Sequence, residues 1–309
     1  MEVTVIIPTY NGAHKVVHTL HALEEQTFQN FHTLVVVDGS TDNTIARIEA
    51  TRWQLHSLQI IYQANGGRAK VRNRGAEEVD SGLIIFFDDD MRPTKSCLAA
   101  HVFHHQHHNH TIAVGTQIND WERAGTEIQR YRCHNSRRWE RKLNENTSGA
   151  AKKLNRHQLH ITGANFSLSY DTFCQLNGFD ERLTDMEDYD LAVRANEAKI
   201  PIYYVPTAHA WHDETCSLSE YIDRKKDYVR AHYRLVQLKP TLYQKYPQRR
   251  IEPPQGIKRI VVWLFSHPVW VSLVDQLPRW SWLPDQWKYK IIDLIVASAV
   301  IRFARKLSA

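Results

Sequence analysis

Short apolar runs recur along the first part of the chain, at Val3–Ile7, Thr33–Val37, Gln59–Tyr62, Leu83–Phe87 and Ile112–Val114. Their brevity and their β-branched and aromatic content predict strands. Residues 13–26, 42–53, 67–78 and 95–108 between them read as helices. Strand and helix in alternation predict right-handed crossovers and a mostly parallel sheet covered on both faces, an α/β fold. Ligands of such sheets sit beyond the carboxyl ends of the strands, so the residues just past each strand matter first.

Those residues are polar: Pro8-Thr9-Tyr10-Asn11-Gly12, Asp38-Gly39-Ser40-Thr41-Asp42 and Asp88-Asp89-Asp90. All three stretches should gather on one rim of the sheet. Residues 119–156 are polar, Arg-rich and poorly periodic, which predicts an insertion or mobile loop with partial helix. A strand at His160–Ser169, a helix near 184–198 and a short strand at Ile202–Val205 follow. Beyond Pro253-Pro254 the character changes, with five of the nine tryptophans lying after Ile260. The expected division is a domain over 1–215 and a helical region over 216–309.

Composition narrows the class without naming a chemistry. The 309 residues are 42% hydrophobic and 24% charged, an ordinary globular balance with material for a sizeable core. A net charge of +5 suits an anionic ligand or membrane surface and gives no sign of a nucleic-acid partner. Cys97, Cys133, Cys174 and Cys216 form no CxxC pair and read as buried free thiols of a reducing compartment. No basic and apolar leader precedes Val3, so a cytoplasmic setting is expected and the N-x-S/T matches at Asn109, Asn146 and Asn165 carry no weight.

The Asp88-Asp89-Asp90 run follows a wholly apolar strand, so a buried strand delivers carboxylates to a sheet edge. Strand alternation would put Asp88 and Asp90 on one face and Asp89 on the other. Such a pair invites a hard cation, Mg²⁺ or Mn²⁺, which would in turn hold a diphosphate; a polar loop start with a capping Asp is the plain alternative. The first turn lacks the G-x-G-x-x-G of nicotinamide binding, and no Walker loop is present. Ser40, Thr41 or Asp42 reads as a helix cap, while Asp38 could accept from a base, a ribose or turn amides. Asn65 to Asn73 sets flexible backbone beside Arg68, Lys70 and Arg72, either near phosphates or as a solvated basic face. Thr184-Asp185-Met186-Glu187 fits a capping box, leaving Asp188 as a candidate general base in the first helical turn. His209 and His212 are loop residues on this reading, one of them able to reach a metal. The histidines between His101 and His110 read mainly as an exposed polar helix face, with zinc as the minor alternative.

Taken together, these stretches resemble the family 2 glycosyltransferases of the GT-A fold. The resemblance runs through V-I-I-P-T-Y-N at 5–11, V-V-D-G-S-T-D-N-T at 36–44, N-G-G-R-A-K-V-R-N-R-G at 65–75, F-F-D-D-D at 86–90, T-G-A-N-F at 162–166, N-G-F-D-E at 177–181 and E-D-Y-D-L at 187–191. It implies a donor half over about 1–115 and an acceptor half over about 116–215, within a mixed sheet flanked by helices. It implies that Pro8, Thr9, Tyr10 and Asp38 hold base and ribose, with Arg68 and Arg72 near the diphosphate. Asp88 and Asp89 fall on the donor side, Asp90 and His212 on a Mn²⁺ or Mg²⁺ ion, and Asp188 on the acceptor hydroxyl as its base. The implied activity is metal-dependent, inverting transfer from a nucleotide-sugar, a UDP-sugar by preference, to a saccharide or lipid-linked acceptor. Family members commonly carry Lys where Arg68 stands, and residues 119–160 match no family motif. Two rivals stay open. A non-catalytic sugar-binding subunit would not need the intact Asp88, Asp90 and Asp188, and a nucleotidyltransferase would want a Gly- and Lys-rich triphosphate loop after the first strand.

The tail adds one more expectation. Ile260–Val274 is uncharged but short of the ~20 residues of a spanning helix, and His267-Pro268 breaks it. Lys258, Arg259, Arg279, Lys288, Lys290, Arg302, Arg305 and Lys306 flank these Trp-rich stretches, as in interfacial helices on anionic lipid. Packing on the catalytic domain, or a contact between copies in a homo-oligomer, is the competing reading.

Overall fold

The structure, a computed structural model, describes residues 1–145, 149–159, 161–246, 254–276 and 283–308. Asn146, His160, Pro253 and Arg279 lie outside the described residues. Two compact units form: residues 1–118 with 136–213, and residues 119–135 with 214–309. The 119–135 segment thus groups with the helical tail.

In the first unit, β1 (Val3–Thr9) pairs in parallel with β2 (His32–Asp38) and β4 (Leu83–Phe87), and β2 with β3 (Ser57–Gln63). The remaining strands are β5 (Met91–Pro93), β6 (Ile112–Asn119), β7 (Lys152–Lys153), β8 (Asn165–Ser169) and β9 (Ile202–His212). The order across the sheet is β3-β2-β1-β4-β8-β6-β9-β5, with β7 on β9. β8 runs antiparallel to β4 and β6, and β9 antiparallel to β5 and β7. The sheet is therefore mixed, its parallel part carrying the strand ends singled out in the sequence.

Continuous apolar runs give these strands two buried faces, and side-chain alternation divides them between two cores. Ile6, Val36, Ile84 and Phe86 pack with Val71 of α3 (Arg68–Ala76) and Leu191 of α7 (Glu187–Glu197). Val5, Ile7, Val35, Ile85 and Phe87 pack with Val16 and Leu20 of α1 (Val16–Glu24) and Leu98 of α4 (Cys97–His107). Phe86 stacks on Phe166 at 4.9 Å between ring centroids and meets Phe179 edge-on, tying β4 to β8. The short helix α2 (Thr44–Glu49) falls within the helix expected over 42–53, while α6 (Tyr170–Gln175), started by the Ser169 cap, was not expected.

Several predicted elements differ in extent. The strand expected from His160 starts only at Asn165, because Asn165 N–H turns back to the Thr162 carbonyl. The strand expected to end at Val205 continues through Pro206 to His212, so His209 and His212 are strand residues rather than loop residues. Pro206 has no N–H to give, yet its carbonyl accepts from the Thr116 hydroxyl at 3.2 Å. Residues 119–156 contain a regular helix, α5 (Glu127–Asn144), whose Ile128 and Tyr131 are buried. An apolar stripe this narrow is hidden in the sequence by the arginines around it.

The histidine run departs most from expectation. His101, His104 and His105 of α4 are buried instead of facing water. His101 bonds Ser167 Oγ and Asn165 Oδ1, both at 2.8 Å, and His105 bonds Ser167 Oγ at 2.9 Å. His104 meets Thr111 Oγ1 at 3.2 Å. The i,i+4 period that suggested zinc instead sets His101 and His105 against the Ser167 hydroxyl of β8. Among the described residues no group of three or more His, Cys, Asp or Glu is placed to hold a metal.

The second unit is helical: α8 (Leu218–Leu238), α9 (Pro240–Tyr243), α10 (Ile257–Phe265), α11 (Pro268–Gln276) and α12 (Asp285–Ser308), with the first turns of α5. Ser217 and Glu220 close a capping box that starts α8. Leu218, Ile222, Val274, Ile292 and Ile295 form its core with Ile128 and Tyr131. Lys288, expected among the basic residues flanking a membrane helix, is buried and paired with Glu127 and Asp285, each at 3.1 Å. A buried ammonium needs such partners, so Lys288 leaves the basic surface. Among the described residues no single helix is long and apolar enough to cross a membrane; α10 and α11 reach that composition only as a pair bent by 51°.

Desolvation lowers His101 and His104 to about 4 and His105 to about 3, from an ordinary 6.5. The unfolded chain takes up these protons first, so stability should fall as pH drops from 6.5 towards 4. Urea unfolding midpoints across that range check this. His105→Gln, which cannot titrate, should flatten the slope; a slope unchanged by the substitution would remove the histidines as its cause.

Candidate functional site

β4 ends at Phe87, and the next residues turn back, Met91 N–H reaching the Asp88 carbonyl at 3.2 Å. Strand alternation therefore stops before the acidic run, and the shared face expected of Asp88 and Asp90 is replaced by divergence to different partners. Asp88 accepts from Arg72 Nη2 at 2.6 Å. Asp89 accepts from the Thr9 hydroxyl at 2.7 Å, at the end of β1, while its carbonyl accepts from Thr19 of α1. Asp90 lies 3.3 Å from Lys15 Nζ through one oxygen and 3.2 Å from His212 Nε2 through the other. The Met91–His212 register between β5 and β9 sets that last contact.

Arg72, in the second turn of α3, is the buried hub. Its Nη1 donates to Glu187 Oε1 at 2.7 Å while Nη2 holds Asp88, and Phe179 lies 5.7 Å beneath the guanidinium. Facing Asp88, Glu187 and Asp188, the guanidinium is held above its ordinary range. The capping box expected at Thr184–Glu187 does not form. Met186 occupies the N-cap in the left-handed region, φ 64°, and frees Glu187 to reach Arg72. Asp188 accepts from Tyr189 N–H at 2.7 Å and Gly163 N–H at 3.3 Å. Desolvation, then the Glu187 charge, pushes its carboxyl up to about 7.

Asp38 is buried, and its carboxylate accepts from Gln63 Nε2 at 2.6 Å, Gly66 N–H at 2.8 Å and Gly67 N–H at 2.9 Å. Turn amides, one of the alternatives left open for it, are thus among its partners. None of Ser40, Thr41 and Asp42 is the N-cap of α2, a position that Asn43 holds without a side-chain bond; Asp42, one residue earlier, accepts from Thr44 N–H at 3.0 Å and Ala13 N–H at 3.2 Å. Ser40 instead accepts from Asn11 N–H at 2.9 Å, and Asn11 Oδ1 from Thr41 N–H at 2.8 Å, so the first two rim loops clasp each other. Pro8 is half-buried, Tyr10 is exposed, and Arg68 reaches Asp185 only at 3.7 Å. The sequence reading missed Lys15, Gly163 as a backbone donor and Glu187 as a partner of Arg72. Gly163, inside T-G-A-N-F, and Glu187, inside E-D-Y-D-L, carried a signal that could have pointed to them; Lys15 lies in none of the quoted stretches.

Asp90 and His212 fit a divalent cation. Asp90 Oδ1 is buried with no hydrogen-bond partner, faces His212 Nε2, and belongs to a carboxyl that His212 and Lys15 hold far below its usual range despite burial. One carboxylate oxygen and one imidazole nitrogen form a partial shell, which a bound diphosphate and water would complete.

Residues 4–171 match the family model of Glycosyl transferase family 2, just over half of the 309 residues, and the chain belongs to that family. The poly(ribitol-phosphate) beta-N-acetylglucosaminyltransferase TarS of Staphylococcus aureus is 31% identical over 118 residues, 37% of this chain and 21% of that protein. An uncharacterized glycosyltransferase of Bacillus subtilis, YfnE, is 28% identical over 116 residues, 37% of this chain and 30% of that protein. The chain thus spans less than a third of the length of either curated relative. Among solved structures, the mannosyltransferase PcManGT of Pyrobaculum calidifontis, in complex with GDP-Man and Mn²⁺, superimposes with a TM-score of 0.60 at 16% identity, covering 96% of this chain and 86% of that one. The 1–349 portion of S. aureus TarS gives 0.53 at 17% identity, covering 99% and 92%. At such identities the likeness is one of fold, and the fold is GT-A with a helical C-terminal region.

Gly163 has no room for a side chain: a Cβ there would stand 2.7 Å from Arg72 Cζ. Gly163→Ala should therefore cost about 1–3 kcal/mol in overpacking. Arg72→Leu should cost more, about 3–5 kcal/mol, because Glu187 is left buried and unpaired. Urea denaturation orders the two variants; an Arg72→Leu protein as stable as the parent would show that Glu187 needs no counter-charge.

Proposed function

We propose that the chain transfers a sugar from a nucleotide-diphospho-sugar, a UDP-sugar by preference, to a hydroxyl of a saccharide or lipid-linked acceptor, in bacterial polysaccharide or glycolipid synthesis. The observation that carries this is the separation of two kinds of carboxyl. Asp90 is a firm anion opposite a histidine nitrogen, while Asp188 holds its proton near neutrality between backbone donors. Such a transfer needs one place for a leaving anion and another for a base. TarS has been solved with UDP-GlcNAc and PcManGT with GDP-Man and Mn²⁺, which supports the donor class.

Asp90 and His212 would hold Mn²⁺ or Mg²⁺, which when bound neutralises charge on the leaving nucleoside diphosphate. Arg68, half-exposed at the start of α3, and Lys15 add positive charge from the chain itself. Arg72 takes one oxygen of Asp88 and leaves the other to the nucleoside. Pro8 and the exposed Tyr10 ring offer a surface to the base. Thr9 with Asp89, and Asp38 held by the Gly66-Gly67 amides, line the donor side, Asp38 towards base and ribose. Asp188 accepts the acceptor proton as the hydroxyl oxygen attacks the anomeric carbon and the diphosphate departs from the opposite side, a single displacement with inversion.

A thermal-shift panel of UDP-, GDP- and dTDP-sugars with Mn²⁺ should find one stabilising donor, and Asp90→Ala should abolish that metal-dependent shift. Asp188→Asn should keep donor binding and lower transfer roughly 100- to 10,000-fold; full turnover would remove the base assignment. Because the raised carboxyl stays protonated below about 7, transfer should fall about tenfold per pH unit beneath that point. A rate flat from pH 5 to 8 would contradict it.

A further inference from the structure

We propose that the outer face of the α10–α11 pair is a docking surface for an anionic lipid bilayer. α10 is apolar on two sides. Its inner residues Val261, Val262 and Phe265 are half-buried, and Phe265 stacks on Trp270 at 5.1 Å within the core of the helical unit. Its outer stripe of Ile257, Ile260, Trp263 and Leu264 faces water, Ile257 at 76% and Trp263 at 74% exposure, and α11 continues it with Val269 and Leu273. Helical spacing gathers the α10 residues on one side, and among the described residues they remain exposed. Trp263 points out while Trp270 turns in, donating to the Leu264 carbonyl at 3.0 Å.

Charge decides what covers this stripe. Lys258 and Arg259 are exposed in the first turn of α10, and Arg302 of α12 reaches Ser266 at the bend between the two helices. The only acid between Gly256 and Gln276 is Asp275, and it accepts Leu218 N–H at 2.6 Å and Ser219 N–H at 3.2 Å at the start of α8. Its charge is thus matched within the unit. The surface left over is apolar with a basic border and a central Trp, the pattern that suits the headgroup region of an acidic leaflet. A second copy would offer the stripe the same apolar and basic surface, with no uncommitted acid between Gly256 and Gln276 to answer Lys258 and Arg259. A spanning arrangement is unsuited too, because the inner faces of both helices are committed to the core of their own unit, and the pair is bent by 51°.

The test needs no turnover, so it stands or falls apart from sugar transfer. The full chain is sedimented with vesicles of phosphatidylcholine alone and of phosphatidylcholine with phosphatidylglycerol. We expect partition to the anionic vesicles only, weakened by salt, and lowered about fivefold by each of Lys258→Gln and Arg259→Gln. Ile260→Ser with Trp263→Ser should abolish it while the thermal midpoint stays unchanged, since these side chains face outwards. No partition, equal partition to neutral vesicles, or partition indifferent to these variants overturns the proposal. So does a wild-type dimer that Ile260→Ser with Trp263→Ser dissolves, which would give the face to a second copy. Retention in vesicles after alkaline carbonate washing would mean insertion across the bilayer and overturn the interfacial assignment.

Discussion

One buried guanidinium organises the site. Taking Arg72 out of water costs several kcal/mol unless carboxylates answer it, and it is answered from two directions, by Asp88 beyond β4 and by Glu187 at the start of α7. Its two ion pairs therefore tie the donor-side strand ends to the helix that carries Asp188. Gly163 lets the guanidinium lie against the backbone before β8, and the same residue's N–H reaches Asp188. The elevated carboxyl follows from this arrangement. Desolvation raises Asp188 first and the adjacent Glu187 charge adds to it, while Arg72, already shared by two other carboxylates, lowers it only in part.

What the sequence disclosed and what it withheld separate along the same physical line. The strands of the parallel half were legible because a run such as Leu83–Phe87, buried at every position, can satisfy a sheet covered on both faces and little else. The rim loops were legible because polar residues directly after such runs have one place to go. Partnerships across long stretches of chain were not: Arg72 and Glu187 are 115 positions apart, and local rules offered Glu187 the nearer role of a helix cap. Lys15 falls under the same limit, since it meets Asp90 only through tertiary structure, whereas His212 was set beside Asp90 by the family resemblance and not by any local rule. His101 and His105 are polar yet buried, because the Ser167 hydroxyl and the Asn165 amide oxygen of β8 satisfy their neutral imidazoles. Lys288 repeats that lesson in the helical unit, where Glu127 gives a buried ammonium its partner.

The acidic run at the rim shows how one fold distinguishes three identical side chains. Three adjacent carboxylates would repel one another strongly if all were ionised at a partly buried edge. Asp88 is countered by Arg72. Burial, together with the Asp90 charge, pushes Asp89 up to about 7, and the Thr9 hydroxyl only partly opposes this. Asp90 moves the other way, because Lys15 and His212 approach it from both sides and leave it the firm anion of the three. The turn that begins at Asp88 makes the difference, since it aims each carboxyl at a separate neighbour. Had β4 run on for three more residues, Asp88 and Asp90 would have shared a face and competed for the same counter-charge. Ending the strand at Phe87 is thus what leaves one ionised oxygen facing His212, an oxygen and a nitrogen suited to hold a cation between them.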